Sequence, residues 1–163
     1  MARLWNATLE PGNLSEFDTV TGTEPPVVNS SVANGIRTGT RSLVSGGSQR
    51  GGSARKTIAS PATGRDYFAR CYWRCQPGIP AGWFTYMAFF QGTNWIAVGP
   101  GGSPRGLAIY TSTNPGTPVA FGGNHPADNW QAWARIEMRL RVNASGDDEV
   151  ELKLNGTTVL NTT

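Results

Sequence analysis

The run Ala134-Arg135-Ile136-Glu137-Met138-Arg139-Leu140-Arg141-Val142 alternates apolar and charged side chains, residue by residue. Ile136, Met138, Leu140 and Val142 fall on one side, and Arg135, Glu137, Arg139 and Arg141 on the other. A period of two belongs to a β-strand with one dry face and one wet face. A Gly146-Asp147-Asp148 turn follows. Val150, Leu152 and Leu154 then repeat the alternation against Glu149, Glu151 and Lys153. Asn155-Gly156 is the favoured pair for a two-residue type I′ turn, because both of its positions take positive φ. Such a turn places Leu154 opposite Thr157 and Leu152 opposite Val159, so that apolar meets apolar across the hairpin. The stretch from Trp130 to Leu160 is therefore predicted as an antiparallel meander, and it makes the chain all-β.

Working outward, the rest of the 163 residues agrees with that class. The 21 Gly and 11 Pro leave few runs long enough for a helix, and short strands between Gly/Pro turns point to a sandwich or barrel. Strands are predicted over Arg3–Leu9, within Thr19–Val28, over Thr40–Ser45, Tyr67–Cys75, Trp83–Gln91, Asn94–Gly99, Gly106–Ser112 and Pro118–Gly122. Trp83–Gln91 is almost wholly apolar and aromatic, so both of its faces are predicted to be covered. The length suits one domain over residues 1–163.

Composition also narrows the function. The net charge is +3, and the arginines are scattered rather than stacked, whereas nucleic-acid binding needs a basic stripe; no nucleic acid is expected. No run approaches ~18 apolar residues and no leader-like apolar segment opens the chain, so neither membrane insertion nor a signal peptide is expected. Cys71 and Cys75 would stand ~13 Å apart on one extended strand, beyond the ~7 Å a disulfide spans. They read as small buried residues. Gly46–Ser53, with Arg50, Arg55 and Lys56, reads as a solvated basic loop, because the spacing of a phosphate-cradling loop is absent.

Two further signatures come together. Leu9-Glu10-Pro11-Gly12-Asn13-Leu14-Ser15-Glu16-Phe17-Asp18, followed by Gly39-Thr40-Arg41-Ser42-Leu43, resembles the opening of concanavalin A-like, LamG-type jelly rolls. Trp130-Gln131-Ala132-Trp133-Ala134-Arg135-Ile136-Glu137, with Val150-Glu151-Leu152-Lys153-Leu154-Asn155-Gly156, is similar to that family's late hairpin. The resemblance implies a two-sheet antiparallel jelly-roll sandwich. Its flavour, with a Met start and no secretion signal, resembles such domains in tail and capsid-decoration proteins of tailed bacteriophages. It thereby implies a non-catalytic virion structural protein at the particle surface, released by host lysis, whose partners are other virion proteins, copies of itself and a host-surface glycan. In that family further strands follow the hairpin and the last pairs beside the first. With Thr163 as the final residue, the resemblance implies an N-terminal fragment or a fold completed by another chain. The assembly edge would then be the first strand, at Leu4, Asn6 and Thr8.

The chemistry on offer is that of binding. Sugars stack on aromatic faces while planar polar groups read their hydroxyls, and Trp83, Trp95, Tyr110 and His125 fall at strand ends or in loops where such a platform can form. Asp147 and Asp148 offer the hard oxygens calcium takes, although two carboxylates in a turn are more often just a turn. No cofactor is expected. A free carbohydrate-binding module is the second reading. A polysaccharide lyase or glycosidase is the third, and for it the chain lacks the paired carboxylates or the Arg, Gln-Ile-His and Tyr set such enzymes use; no catalytic residue is assigned.

Overall fold

The computed structural model describes residues 15–22, 27–29, 42–44, 52–55, 63–73, 87–91, 93–101, 106–113, 117–124 and 133–163. Every regular element among them is a strand. In chain order these are β1 (Thr19–Gly22), β2 (Val27–Asn29), β3 (Ser42–Val44), β4 (Gly52–Arg55), β5 (Asp66–Trp73), β6 (Met87–Gln91), β7 (Asn94–Gly101), β8 (Gly106–Thr111), β9 (Ala120–Asn124), β10 (Ala134–Arg141), β11 (Glu149–Leu154) and β12 (Thr157–Thr162). The chain divides into two compact units, Met1–Ser60 and Pro61–Thr163.

In the first unit β1 pairs antiparallel with β4, and β2 with β3. This corrects the reading of Gly46–Ser53 as loop throughout: Gly52 and Ser53 open β4, with Gly52 set against Gly22 and Arg55 against Thr19. Ladder bonds use only backbone N–H and C=O groups, which glycine supplies as well as any residue. A composition-based reading is blind to that.

The second unit contains two four-stranded antiparallel sheets, ordered β12-β11-β10-β5 and β6-β7-β8-β9. β10 lies inside the first sheet, with β11 on one flank and β5 on the other. Its alternation is carried out in full, with Ala134, Ile136, Met138 and Leu140 buried and Arg135, Glu137, Arg139 and Arg141 half-buried on the other face. β5 alternates in step. Tyr67, Ala69, Cys71 and Trp73 turn inward, while Asp66, Phe68, Arg70 and Tyr72 are exposed. The strand ends at Trp73; Cys75 lies outside the described residues.

The inner faces of both sheets supply one hydrophobic cluster. Ile136, Met138 and Leu152 from the first sheet meet Val98, Leu107 and Ile109 from the second, each no more than 1% exposed. Tyr67, Cys71, Trp73, Met87, Phe89, Ile96 and Ala120 pack around it. At roughly 1.5–3 kcal/mol per fully buried large side chain, this shared layer outweighs any contribution from the exposed ion pairs.

The β11–β12 hairpin holds one departure from the sequence reading. The turn is as predicted, with Asn155 at φ 52° and Gly156 at φ 93°, the positive values a type I′ turn requires. Asn155 also ties the turn to β10. Its N–H donates to the Arg135 carbonyl at 2.8 Å, and its Oδ1 accepts the Arg135 N–H at 2.9 Å. Leu154 stands opposite Thr157 as expected, but Leu152 faces Leu160 rather than Val159. A β-bulge at this point shifts the register between Leu152 and Lys153. Strict alternation would have turned Leu160 to the wet face and brought Asn161 inward, opposite Val150. One extra residue reverses this. Val159 and Leu160 both pack against the hydrophobic cluster, and Asn161 is exposed opposite Glu151.

Candidate functional site: two outer faces of unequal chemistry

The outer face of the β12-β11-β10-β5 sheet is charged, and its register sets opposite charges against each other. Glu137 stands across from Arg70 and Lys153, Arg139 across from Glu151, and Arg141 across from both Asp66 and Glu149. Glu137 is the hub. Arg70 Nη2 lies 2.6 Å and Arg70 Nε 2.7 Å from its Oε1, and Arg135 Nε lies 3.1 Å from its Oε2. The Arg135 contact is close enough for an ion pair but is not aligned as a hydrogen bond. Arg139 donates to Asp66 at 3.0 Å, and that hydrogen bond raises the pKa of the guanidinium. Lys153 sits 3.4 Å from Glu151, which also accepts the Thr158 hydroxyl at 2.9 Å. Arg141 Nε is buried without a hydrogen-bond partner. These arginines are thus largely occupied by carboxylates of the same face, an arrangement invisible in the one-dimensional charge pattern. Phe68 and Tyr72 are the exposed aromatics on this face.

The outer face of the β6-β7-β8-β9 sheet is of another kind. Residues paired across neighbouring strands share a face. Phe90 pairs with Trp95, Ala88 with Ala97, Ala97 with Tyr110, and Gly99 with Ala108. These lie on the side opposite Met87, Phe89, Ile96, Val98, Leu107 and Ile109, which pack in the cluster. Ala97, Ala108 and Tyr110 on β7 and β8 are nevertheless buried, but on β6 the cover predicted for both faces is incomplete, with Ala88 half-buried and Phe90 exposed. At its rim the cover ends. Phe90 is 48% exposed and Trp95 half-buried, one directly opposite the other. Ser112, whose N–H donates to the Trp95 carbonyl at 3.0 Å, continues the rung, and Thr111 and Thr113 share a hydroxyl hydrogen bond at 2.9 Å beside it.

Of the residues singled out for a glycan platform, the structure brings Trp95 and Tyr110 onto one face as diagonal neighbours on adjacent strands. Tyr110 is 8% exposed, and burial raises its phenol pKa. Trp95 therefore offers the more accessible ring. Trp83 and His125 lie outside the described residues, as do Leu4, Asn6 and Thr8. Phe90 was not singled out in the sequence, because it sits in an apolar run that reads as buried on both sides. Its signal was positional: it is the last apolar residue of that run, two positions before Gly92.

Asp147 and Asp148 hold the β10–β11 loop closed. Asp148 Oδ1 accepts the Asn143 N–H at 2.9 Å, and Asn143 Nδ2 donates to the Asp147 carbonyl at 2.8 Å. Gly146, at φ 85°, makes the reversal between them. Among the described residues no group of three or more His, Cys, Asp or Glu converges as a metal site, and no helix is long and apolar enough to cross a membrane.

Cys71 is a free thiol on the inner face of β5, opposite Ile136. Burial pushes its pKa from 9.0 up to about 12. A raised acid pKa means that the folded state favours the protonated thiol. Its contribution to stability is complete below pH 9.0 and is lost as the pH rises toward about 12. In a Cys75→Ser variant, Cys71 is expected to resist alkylation at neutral pH and to react fully once urea unfolds the chain. Equal rates in both states would place the thiol outside the core.

No family model, curated protein or solved structure matches this chain.

Proposed function

We propose that the chain is a non-catalytic surface component of a tailed-bacteriophage particle, folded as a concanavalin A-like jelly roll, in which the Phe90–Trp95 rung holds a glycan of the host surface. The observation that carries this reading is the rung itself. Two aromatic side chains stand side by side at the rim of a sheet face on which Ala97, Ala108 and Tyr110 are buried. An exposed aromatic pair costs solubility, and such patches mark sites of contact. A sugar ring fits it through C–H groups laid against the negative faces of the rings. The jelly-roll assignment draws support from the late hairpin. Of the residues that resemble the family's motif, 134–137 fall in β10, 150–154 in β11 and Asn155-Gly156 in the turn, and the two sheets share one hydrophobic layer. As a particle component it assembles with other virion proteins or with copies of itself.

Two measurements test this. An antibody raised against the purified chain is expected to label intact particles. On a glycan array the chain is expected to retain at least one glycan class, and Trp95→Ala is expected to weaken that binding at least about tenfold, or ~1.4 kcal/mol. An array on which nothing binds, or binding that Trp95→Ala leaves intact, overturns the glycan role. Glycan binding without particle labelling favours a free carbohydrate-binding module. Cleavage of a bound polysaccharide favours the lyase or glycosidase alternative.

A further inference from the structure

We infer that the ligand of the Phe90–Trp95 rung is an uncharged glycan; the inference rests on the glycan reading above and narrows it. The ground is the separation of charge between the two sheets. The described residues of the β6-β7-β8-β9 sheet and its connections, 87–91, 93–101, 106–113 and 117–124, include no Asp, Glu, Lys, Arg or His. The other sheet carries Asp66, Arg70, Arg135, Glu137, Arg139, Arg141, Glu149, Glu151 and Lys153. The contrast extends through the sequence. Between Arg74 and Asp128 the one Asp, Glu, Lys or Arg is Arg105, which falls in the connection from β7 to β8. Trp95 lies at the opposite end of β7, and the described residues that adjoin the rung in sequence, Gln91, Thr93, Asn94, Thr111, Ser112 and Thr113, are neutral.

This composition decides between ligand classes. A uronate, sialylated or sulfated sugar brought against the rung would give up part of its hydration with no cation among the described residues of this sheet to replace it. Even partial desolvation of an unpaired ion is costly, whereas a hydroxyl needs only a neutral hydrogen-bonding partner. The polar group set beside the rung is of that neutral kind: half-buried Ser112, which stands across from Trp95, with exposed Thr113 following it, while Asn94 and Thr111 alternate to the opposite face. A neutral pyranose finds an aromatic surface for its C–H face and the Ser112 hydroxyl at its rim. Among the described residues of Pro61–Thr163, the arginines lie on β5, just before it, or on β10, and those at positions 70, 135 and 139 are already within ion-pair distance of carboxylates.

The test uses the full chain and matched oligosaccharide pairs, each a neutral oligomer and its uronate or sialylated counterpart, titrated calorimetrically at low salt and at ~1 M salt, where the Debye length falls to ~3 Å. The neutral member is expected to bind with an affinity that salt changes by less than about twofold. Trp95→Ala and Phe90→Ala are each expected to weaken it at least about tenfold, and Arg70→Ala to leave it unchanged. Trp95-dependent binding in which the acidic member wins, and salt abolishes the preference, overturns this inference while the glycan reading stands. Absence of any Trp95-dependent binding to either member overturns both.

Discussion

Leu152→Ala is expected to lower the unfolding free energy by about 3 kcal/mol, within the ~2–5 kcal/mol range for deleting most of a buried leucine. Leu152 is fully buried and is set between Met138 on β10 and Leu160 on β12, within the cluster to which both sheets contribute. The lost methyl groups leave a space that three strands border, and none of them can close it without breaking its own ladder. The neighbouring Lys153→Ala is the control. Its side chain is 40% exposed and its partner Glu151 lies 3.4 Å away, a geometry worth ~1 kcal/mol or less. Urea titration of both variants at constant m-value measures the difference. Equal costs would mean that the cluster is not a shared core.

Leu160→Asn is expected to cost about 2–3 kcal/mol, from lost apolar burial and a poorly satisfied amide turned toward the core. Asn161→Leu, one position on, is expected to change stability by less than about 0.5 kcal/mol, as an exposed surface substitution. The pair is a direct assay of the bulge. In an unbroken type I′ hairpin the roles reverse: Leu160 would face water and tolerate Asn, and Asn161 would face Val150. Measured costs in that reversed order would remove the register shift between Leu152 and Lys153.

The bulge also marks where the sequence stops being legible. Val159 and Leu160 are adjacent apolar residues, and an alternating pattern can send only one of them inward. Local periodicity chose Val159. The structure packs both, half-buried, against the cluster because the sheet tolerates one unpaired residue more readily than an exposed leucine and an inward asparagine. β4 was obscured for a different reason. Glycine contributes no side chain to a pattern, yet its backbone pairs normally, so Gly52 reads as loop until its partner Gly22 is known. The candidate site was half visible. Trp95 stood out as an aromatic at a strand start, whereas Phe90 was concealed in an apolar run and became notable only when pairing set it opposite Trp95 at the exposed rim.

Some things followed from the sequence alone. The alternation in 134–142 and 149–154 specified strands, because period two matches no other backbone geometry, and Asn155-Gly156 specified its turn, because few residues accept positive φ there. Tertiary structure decided the rest, and each case turned on which residues stand opposite one another. Register put Arg70 on the carboxylate of Glu137 that Arg135, two residues back on the same strand, also approaches, and Arg139 beside Asp66, turning what reads as scattered basic charge into a largely neutralised surface. Register also gathered the uncharged strands into a sheet of their own, with two aromatic rings at its rim. Pairing across strands is a long-range choice, made by the total burial of two sheets against each other, and no local stretch of sequence contains that sum.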